Sequence, residues 1–154
     1  MTDLASRVIS LLQGKTLATA ESCTGGGIGS ALTAVSGSSA VFKGGIISYT
    51  NEIKENLLGV PDSLLKSRGA VSVPVAEAMA QGARKALMSD IAVSVTGLAG
   101  PGGDEFGNPV GTVFIGYADE KSCVVREFHL TGERDEVRRQ ASASALSLIL
   151  EQNR

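Results

Sequence analysis

The segment KTLATAESCTGGGIGSALTAV, residues 15–35, joins a short apolar run to a helical pattern through three consecutive glycines. Residues 15–20 have the composition of a strand, and the apolar residues between 28 and 35 recur with the spacing of one helix face. The segment therefore predicts a strand, a tight turn and a helix. Because ligands of open α/β sheets bind beyond the carboxyl ends of the strands, the turn at residues 21–27 is the first candidate site.

The rest of the chain also alternates between strand and helix patterns. The pair Gly44 and Gly45 interrupts one predicted strand and marks a bulge or a close approach of two backbones. The small-residue run ASASALS in the last helix permits close packing, either on the sheet or on a second subunit. We expect helices over residues 3–13, 51–60, 74–87 and 133–151, strands over 39–50 and 90–96, and a hairpin around the turn DEKS over 112–130.

Strands that alternate with helices, followed by a hairpin, predict an α/β fold. We expect a three-layer α/β/α domain with a mixed, mostly parallel sheet of about five strands, which includes the C-terminal β-hairpin. The chain has 154 residues, 43% of them hydrophobic, which suffices for one core and leaves no room for a second domain. The sequence thus predicts a single domain over residues 1–154.

The composition argues against several classes of partner. Lys and Arg total 14 against 16 Asp and Glu, so nucleic acid is a poor candidate ligand. No apolar run reaches the roughly 18 residues of a spanning helix, and the first residues do not resemble a signal peptide. We therefore expect a soluble, cytoplasmic protein without a membrane partner. Cys23 and Cys123 lie far apart and the chain has one His, so neither a disulfide framework nor a metal site is indicated.

Three segments should converge at the carboxyl ends of the predicted strands. They are the turn at residues 21–27, the turn at 49–54, and the long loop GLAGPGGDEFGNPVG at 97–111. A loop of that length in a small domain is usually functional or disordered. The glycines of the first turn have three interpretations: a tight turn, an anion site at a helix start, or part of a reaction centre. No Gly-Lys-Ser/Thr follows them, so the turn is not a P-loop.

A reaction centre at the first turn would use Ser22 or Cys23 as the nucleophile and would need a base. The single histidine, His129, lies in a predicted strand, which argues against a Ser-His-Asp triad. Lys54 falls in the first turn of a predicted helix, where the positive end of the helix dipole disfavours its charged form. A serine–lysine pair is one interpretation. Lys54 could instead be a solvated surface charge. Cys23, for its part, could be a small buried side chain and not the nucleophile.

Five motifs follow one another through the chain: ESCTGG, SYTNEIKENLLGV, VSVTGLAGPGG, PVGTVFIGYA and GERDEVRRQA. Together they resemble the C-terminal domain of the competence-damage-inducible CinA family, whose characterised members are nicotinamide mononucleotide deamidases. The resemblance implies hydrolysis of the nucleotide's carboxamide to nicotinate mononucleotide and ammonia, a step of pyridine nucleotide recycling. It also implies a homodimer that needs no metal and no cofactor. The amino-terminal domain of full-length members has no counterpart, so we expect the stand-alone form.

The resemblance also implies roles for particular residues. Ser22 would attack the amide carbon, while Lys54, with Tyr49 nearby, would take the hydroxyl proton and later pass one to ammonia. The main-chain N–H groups after Ser22 would bind the oxyanion. Arg138, one helical turn from Arg134, would bind the phosphate. The residues expected to bind substrate or shape its pocket are Cys23, Thr24, Gly25, Thr96, Gly97, Gly100, Gly103 and Arg138.

Each of these roles has a structural alternative. Ser22 and Thr24 could cap the helix that follows them. Tyr49 could simply pack at the end of its strand, and Arg138 could be a surface charge. Glu21 could orient the lysine or accept hydrogen bonds from backbone N–H groups, and the sequence leaves both open.

The chain departs from the family pattern in the long loop. Family members commonly have a lysine before the proline of PVGTV, whereas this chain has Asn108 there. The acidic pair Asp104 and Glu105 precedes it. If that lysine contributes to binding, we expect affinity or substrate choice to differ in this chain.

Overall fold

The computed structural model describes residues 1–154. It contains five strands, six α-helices and one turn of 3-10 helix, Ser38–Ala40. None of the helices combines the length and the apolar character that crossing a membrane requires. In chain order the elements are α1 (Thr2–Leu11), β1 (Leu17–Glu21), α2 (Gly27–Thr33), β2 (Phe42–Ile47), α3 (Asn51–Leu58), α4 (Asp62–Arg68), α5 (Val73–Ala86), β3 (Ile91–Gly97), β4 (Thr112–Ala118), β5 (Cys123–His129) and α6 (Arg134–Gln152).

Every helix and strand expected from the sequence is present, with ends that differ by a few residues. One further helix, α4, was not predicted from the sequence. Its seven residues begin directly after Pro61 and bury a single side chain, Leu65. So short a segment contains too few turns for an apolar periodicity to stand out. Its last turn carries Lys66 and Arg68, whose charges complement the negative end of the helix dipole.

The sheet has the strand order β2-β1-β3-β4-β5. β2, β1 and β3 pair in parallel, whereas β3 with β4 and β4 with β5 are antiparallel. Only β4 therefore runs against the other strands, which confirms the mixed, mostly parallel sheet with a C-terminal hairpin.

The glycine pair in β2 serves both purposes that the sequence suggested. The register against β1 shifts between Phe42 and Gly44, so Lys43 bulges out of the ladder. A Cβ atom on Gly45 would come within 2.1 Å of the Thr19 hydroxyl oxygen on the neighbouring strand. The missing side chain therefore leaves room for the Thr19 hydroxyl on the neighbouring strand.

Helices cover both faces of the sheet. Alternate residues of β1 and β3 point to opposite faces: Leu17 and Val93 join the larger core cluster with α1, α2 and α6, while Ala18 and Ala92 join the smaller one with α3, α4 and α5. These are the three layers that the alternation of elements predicted. In α6, part of the small-residue run is buried against the neighbouring helices and the sheet, so this run packs within the chain.

The parallel arrangement places three chain segments at one edge of the sheet. β1, β2 and β3 end there, at Glu21, Ile47 and Gly97. The turn into α2, the turn into α3 and the long loop after β3 start from these ends. The loop is the connection of an antiparallel pair, since β4 returns beside β3.

Candidate active site

A cavity of about 320 Å³ lies between these three segments. Its lining confirms the expected convergence, since each segment contributes residues to it. Among the predicted site residues, those that line the cavity are Ser22, Cys23, Tyr49, Lys54, Thr96, Gly97 and Gly100. The predicted residues outside the lining are Thr24, Gly25, Gly103 and Arg138. The lining residues that the sequence did not single out are Asn51, Ala70, Val71, Leu98, Ala99, Gly102 and Arg134.

The side chains of Ser22 and Lys54 meet at the base of this cavity. Lys54 Nζ lies 3.1 Å from Ser22 Oγ, although 32 positions separate the two residues. The amine also donates to the carbonyl oxygens of Ser48, at 2.9 Å, and Tyr49, at 3.5 Å. Neighbouring main-chain acceptors thus hold the lysine against the serine hydroxyl.

Lys54 is buried without a counter-ion. The residue is 2% exposed, and no carboxylate forms a salt bridge with it. Burial lowers the pKa of Lys54 from 10.5 to about 8, because the charged form loses its hydration. With this pKa about a tenth of the amine is neutral at pH 7, far more than for a lysine in water. Its nitrogen lone pair can then accept the serine proton.

The position of Lys54 on α3 also disfavours the ammonium form. Thr50 caps this helix, and its side-chain oxygen accepts a hydrogen bond from Ile53 N at 3.3 Å. Lys54 follows directly, near the positive end of the helix dipole. The turn after β2 thus places the lysine near the start of this helix.

The Tyr49 hydroxyl lies away from the lysine amine. The residue is 58% exposed, and its hydroxyl accepts a hydrogen bond from Arg134 at 3.1 Å. Only the Tyr49 carbonyl contacts Lys54. The structure thus brings Tyr49 to the cavity through its main chain, with the ring at the mouth.

The hydrogen bonds of Glu21 decide between its two predicted roles, which were to orient the lysine or to accept from backbone N–H groups. Its buried carboxylate accepts hydrogen bonds from Thr24 Oγ1 at 2.7 Å, Ile28 N at 2.8 Å and Gly29 N at 3.0 Å. The carboxylate therefore satisfies N–H groups of the first turn of α2 and does not orient the lysine. The interpretation of this helix start as an anion site for a ligand is wrong, because the chain's own carboxylate occupies it.

The turn after Ser22 leaves main-chain donors available. Neither the Cys23 N–H nor the Thr24 N–H donates to a main-chain carbonyl, whereas Gly25 N donates to Ser22 O at 3.1 Å. The Thr24 hydroxyl is committed to Glu21, so the residue does not reach the cavity through its side chain. The N–H of Cys23 comes directly after the serine and donates to no main-chain carbonyl, so it is placed to serve as an oxyanion donor.

The Cys23 side chain lines the cavity but is poorly suited to act as the nucleophile. Burial raises the pKa of its thiol to about 11. A hydrogen bond with its own backbone and the nearby charge of Lys54 both lower the pKa, but they offset only part of the rise. The thiol therefore stays protonated at neutral pH, and the thiolate is the reactive form. This supports the interpretation of Cys23 as a small buried side chain.

The two arginines of α6 occupy different surroundings. Arg138 binds main chain behind the serine turn: its Nε donates to Cys23 O at 3.0 Å and a terminal nitrogen donates to Thr24 O at 3.3 Å. Arg134 lines the cavity and donates to Gly100 O as well as to the Tyr49 hydroxyl. The sequence signal for Arg134 was its spacing, one helical turn before Arg138, which puts both on one helix face.

The long loop is held in place by side chains of its own. Asp104 accepts hydrogen bonds from the main-chain and side-chain nitrogens of Asn108, both at 2.9 Å. Asn108 also donates to Val71 O at 3.0 Å. Gly103 lies so close to Asn108 that a Cβ would be 2.6 Å from its carbonyl oxygen. Asn108 therefore ties the loop to the segment before α5, and two of the three noted departures from the family pattern, Asp104 and Asn108, form a structural link.

A second cavity, of about 360 Å³, adjoins the first on the side of the Asp104 link. Gly103 and Glu105 line it, and it shares Asn51 and Leu98 with the first cavity.

His129 lies away from both cavities, on β5, where its ring pairs with Glu127 at 2.6 Å. No three metal-ligating side chains cluster in the structure.

The fold and the site together define a class: three-layer α/β domains in which a buried lysine meets a serine on the strand–turn–helix at the carboxyl edge of the sheet. The chain belongs to the CinA family, since the model of the CinA C-terminal domain matches residues 1–153.

Curated relatives support this assignment. A CinA-like protein of Geobacter sulfurreducens is 52% identical over 137 residues, which cover 89% of this chain and 33% of the relative. A CinA-like protein of Synechococcus sp. (strain RCC307) is 52% identical over 150 residues, or 95% of this chain and 36% of the relative. The chain thus spans about a third of the length of these relatives.

Solved structures of the superfamily have the same fold. A competence-damaged protein (CinA) superfamily protein from Escherichia coli superposes with a TM-score of 0.96 at 33% identity, covering 98% of this chain and 89% of the other. The competence/damage inducible protein CihA from Agrobacterium tumefaciens gives a TM-score of 0.96 at 39% identity, covering 99% and 95%.

Proposed function

We propose that this protein is an amidohydrolase that converts nicotinamide mononucleotide to nicotinate mononucleotide and ammonia, with Ser22 as the nucleophile and Lys54 as the base. The observation that carries the proposal is the 3.1 Å contact between Lys54 Nζ and Ser22 Oγ. The lysine is buried and its pKa is lowered to about 8. The resemblance of the motifs to nicotinamide mononucleotide deamidases supports the choice of substrate.

In the first half of the reaction, neutral Lys54 accepts the proton of the Ser22 hydroxyl while Oγ bonds to the carboxamide carbon. The carbonyl oxygen becomes an oxyanion, for which the N–H of Cys23 is the donor adjacent to the nucleophile. The C–N bond then breaks. Lys54 gives its proton to the departing nitrogen, and ammonia leaves an acyl ester on the serine.

In the second half, water adds to the acyl ester as Lys54 takes one of its protons. The bond between the acyl carbon and Ser22 Oγ breaks, and the lysine returns the proton to that oxygen. The product acid ionises to a carboxylate, and its proton is taken up by the released ammonia as ammonium. The net change is addition of one water and release of one ammonia, with the enzyme restored.

Arg134 is the cation suited to the substrate phosphate. It is the arginine that lines the cavity, and its two hydrogen bonds leave some of the five guanidinium N–H donors free. Gly100 and Gly102 line the same side without side chains, so a phosphate can approach the loop closely. This assignment replaces Arg138 as the proposed phosphate ligand.

The first test measures ammonia release from nicotinamide mononucleotide by the purified protein. We expect turnover in the parent, loss of at least a hundredfold in Ser22→Ala and Lys54→Met, and parent-like rates in Lys66→Met. Lys66 is a matched control because it is exposed and pairs with Asp62 on α4. Binding of the nucleotide without turnover, surviving the Ser22 and Lys54 substitutions, would instead support a non-catalytic nucleotide-binding module.

The second test is the pH profile of kcat/KM. Because the neutral amine is the active form, the rate should rise as the pH passes through about 8, the pKa of Lys54, and then level off. A flat profile from about pH 6 to 9, with chemistry shown to be rate-limiting, removes Lys54 from the role of base.

We also propose that the protein acts as a homodimer in the cytoplasm. The dimer is proposed from the family resemblance alone, since small residues of α6 pack within the chain. Sedimentation of the purified protein as a monomer at micromolar concentration would contradict it. The location follows from the proposed role in recycling pyridine nucleotides and is tested by fractionation of cells.

A further inference from the structure

Arg138 contacts the serine turn from outside the cavity. It reaches across from α6, where it is half-buried, and its fork spans two successive carbonyl oxygens, Cys23 O and Thr24 O. A third nitrogen lies 3.5 Å from the carboxylate of Asp135. All three guanidinium nitrogens therefore have partners that hold the plane of the group.

The two carbonyls that Arg138 holds determine the direction of the N–H groups attached to the same peptide units. In a trans peptide the C=O and N–H bonds point in opposite directions within one plane. Fixing Cys23 O therefore fixes the Thr24 N–H, and fixing Thr24 O fixes the Gly25 N–H. The Gly25 N–H donates to Ser22 O, which in turn sets the direction of the Cys23 N–H.

Gly25 is suited to this contact. Its φ of +59° is one that side-chain-bearing residues rarely adopt. A Cβ there would lie 3.3 Å from a terminal nitrogen of Arg138, closer than an ordinary contact. The glycine therefore permits both the backbone conformation of the turn and the approach of the guanidinium.

We propose that Arg138 is a positioning residue that aligns the Cys23 N–H, through the Gly25 N–H that donates to Ser22 O, as a donor for the oxyanion of the serine reaction. The inference rests on the proposed function and extends it to a residue that need not touch the substrate. The positive charge polarises the peptide unit that carries the Gly25 N–H, and the hydrogen bond from this N–H to Ser22 O in turn polarises the Cys23 N–H toward the developing negative charge. In this proposal Arg134 binds the substrate phosphate, whereas Arg138 stabilises the transition state by positioning its oxyanion donor.

The kinetic test compares Arg138→Ala, Arg139→Ala and Arg134→Ala. Misaligned donors weaken transition-state stabilisation only, so Arg138→Ala should lower kcat by about tenfold to a hundredfold with KM changed by less than about twofold. Arg139→Ala, at the exposed neighbouring position, should match the parent. Arg134→Ala should raise KM. An Arg138→Ala protein with raised KM and normal kcat would overturn the inference.

A second readout does not depend on the nucleotide. p-Nitrophenyl acetate is a general acyl donor, and intact mass reports the rate at which it acylates Ser22. That rate should fall in Arg138→Ala by about as much as kcat and should be partly restored by added guanidinium, which occupies the vacated position. Equal acylation rates in the parent and Arg138→Ala overturn the inference, whatever the result with the nucleotide.

The two readouts separate failure of the inference from failure of the proposed function. If the parent releases no ammonia but its Ser22 is acylated in an Arg138-dependent way, the substrate assignment is wrong and the positioning role is supported. If Ser22 of the parent is not acylated at all, both are overturned. Should Arg138→Ala fail to fold, Arg138→Lys retains the charge without the fork and should show the same direction of change in kcat.

Discussion

Replacing Lys54 with Met should change how the stability of the protein depends on pH. The buried amine has a pKa of about 8 in the folded protein, lowered from 10.5 by burial. Between these two values the unfolded chain binds more protons than the folded one, so the free energy of unfolding rises with pH. The unfavourable contribution of Lys54 is complete below about pH 8 and disappears above about 10.5. Met fills a similar volume and does not titrate.

The size of the effect follows from the shift in pKa. One pKa unit corresponds to about 1.4 kcal/mol, so the shift amounts to about 3 kcal/mol. From about pH 7 to about pH 10, the free energy of unfolding of the parent should rise relative to Lys54→Met by about 2–3 kcal/mol. The comparison with the variant cancels the other groups that titrate in this range.

Urea unfolding of both proteins, followed by circular dichroism at several pH values, measures this difference directly. Lys66→Met, at an exposed position on α4, is the control and should leave the pH dependence of stability as in the parent. If the difference between the parent and Lys54→Met varies by less than about 0.5 kcal/mol over this range, the amine is not desolvated. The argument for Lys54 as a base then loses its physical foundation.

Three further substitutions test the surroundings of the pair. Glu21→Gln places an amide donor among the N–H groups that donate to the carboxylate, and should lower the free energy of unfolding by about 2 kcal/mol in urea. An unchanged midpoint would mean that these hydrogen bonds do not stabilise the start of α2. Gly82→Ala puts a Cβ 1.9 Å from Leu58 O at the end of α3. It should destabilise by about 1–3 kcal/mol and lower kcat, because α3 carries the lysine; unchanged stability would mean that α3 is free to move. Cys23→Ala should retain the ammonia-release rate within a few fold, and a loss beyond tenfold would favour a cysteine nucleophile.

Most of the fold was predictable because its elements have strong local patterns. The apolar spacing of residues 28–35 and the turn DEKS between two predicted strands each identified elements within a few residues of their ends. Helix α4 was missed because seven residues with one buried side chain carry no periodicity. The glycine pair in β2 was recognised as a special position, but the bulge and the close approach to Thr19 depend on how β2 lies against β1.

The candidate site was predictable in part. The rule for the carboxyl ends of strands brought together the three segments that line the cavity, and hence Ser22 and Lys54. The roles of the charged residues were harder to assign. Arg138 and Arg134 lie on one face of α6, and only the direction of each side chain separates contact with the turn from contact with the cavity. The link between Asp104 and Asn108 was likewise invisible in the sequence, where the two residues were seen only as departures from a pattern.

Local chemistry along the chain is enough to predict the strand–turn–helix, the alternating layers and the residue types that a serine–lysine site would need, because these depend on neighbours within a few positions. Ser22 and Lys54 are 32 positions apart, and their distance in space depends instead on the parallel pairing of β1 with β2, which puts the ends of these strands side by side. The lowered pKa of Lys54 arises in the same way, because burial exists only after the layers have packed. Glu21 illustrates the point: its neighbours in sequence allow two roles, and only the path of α2 turns its carboxylate toward the backbone.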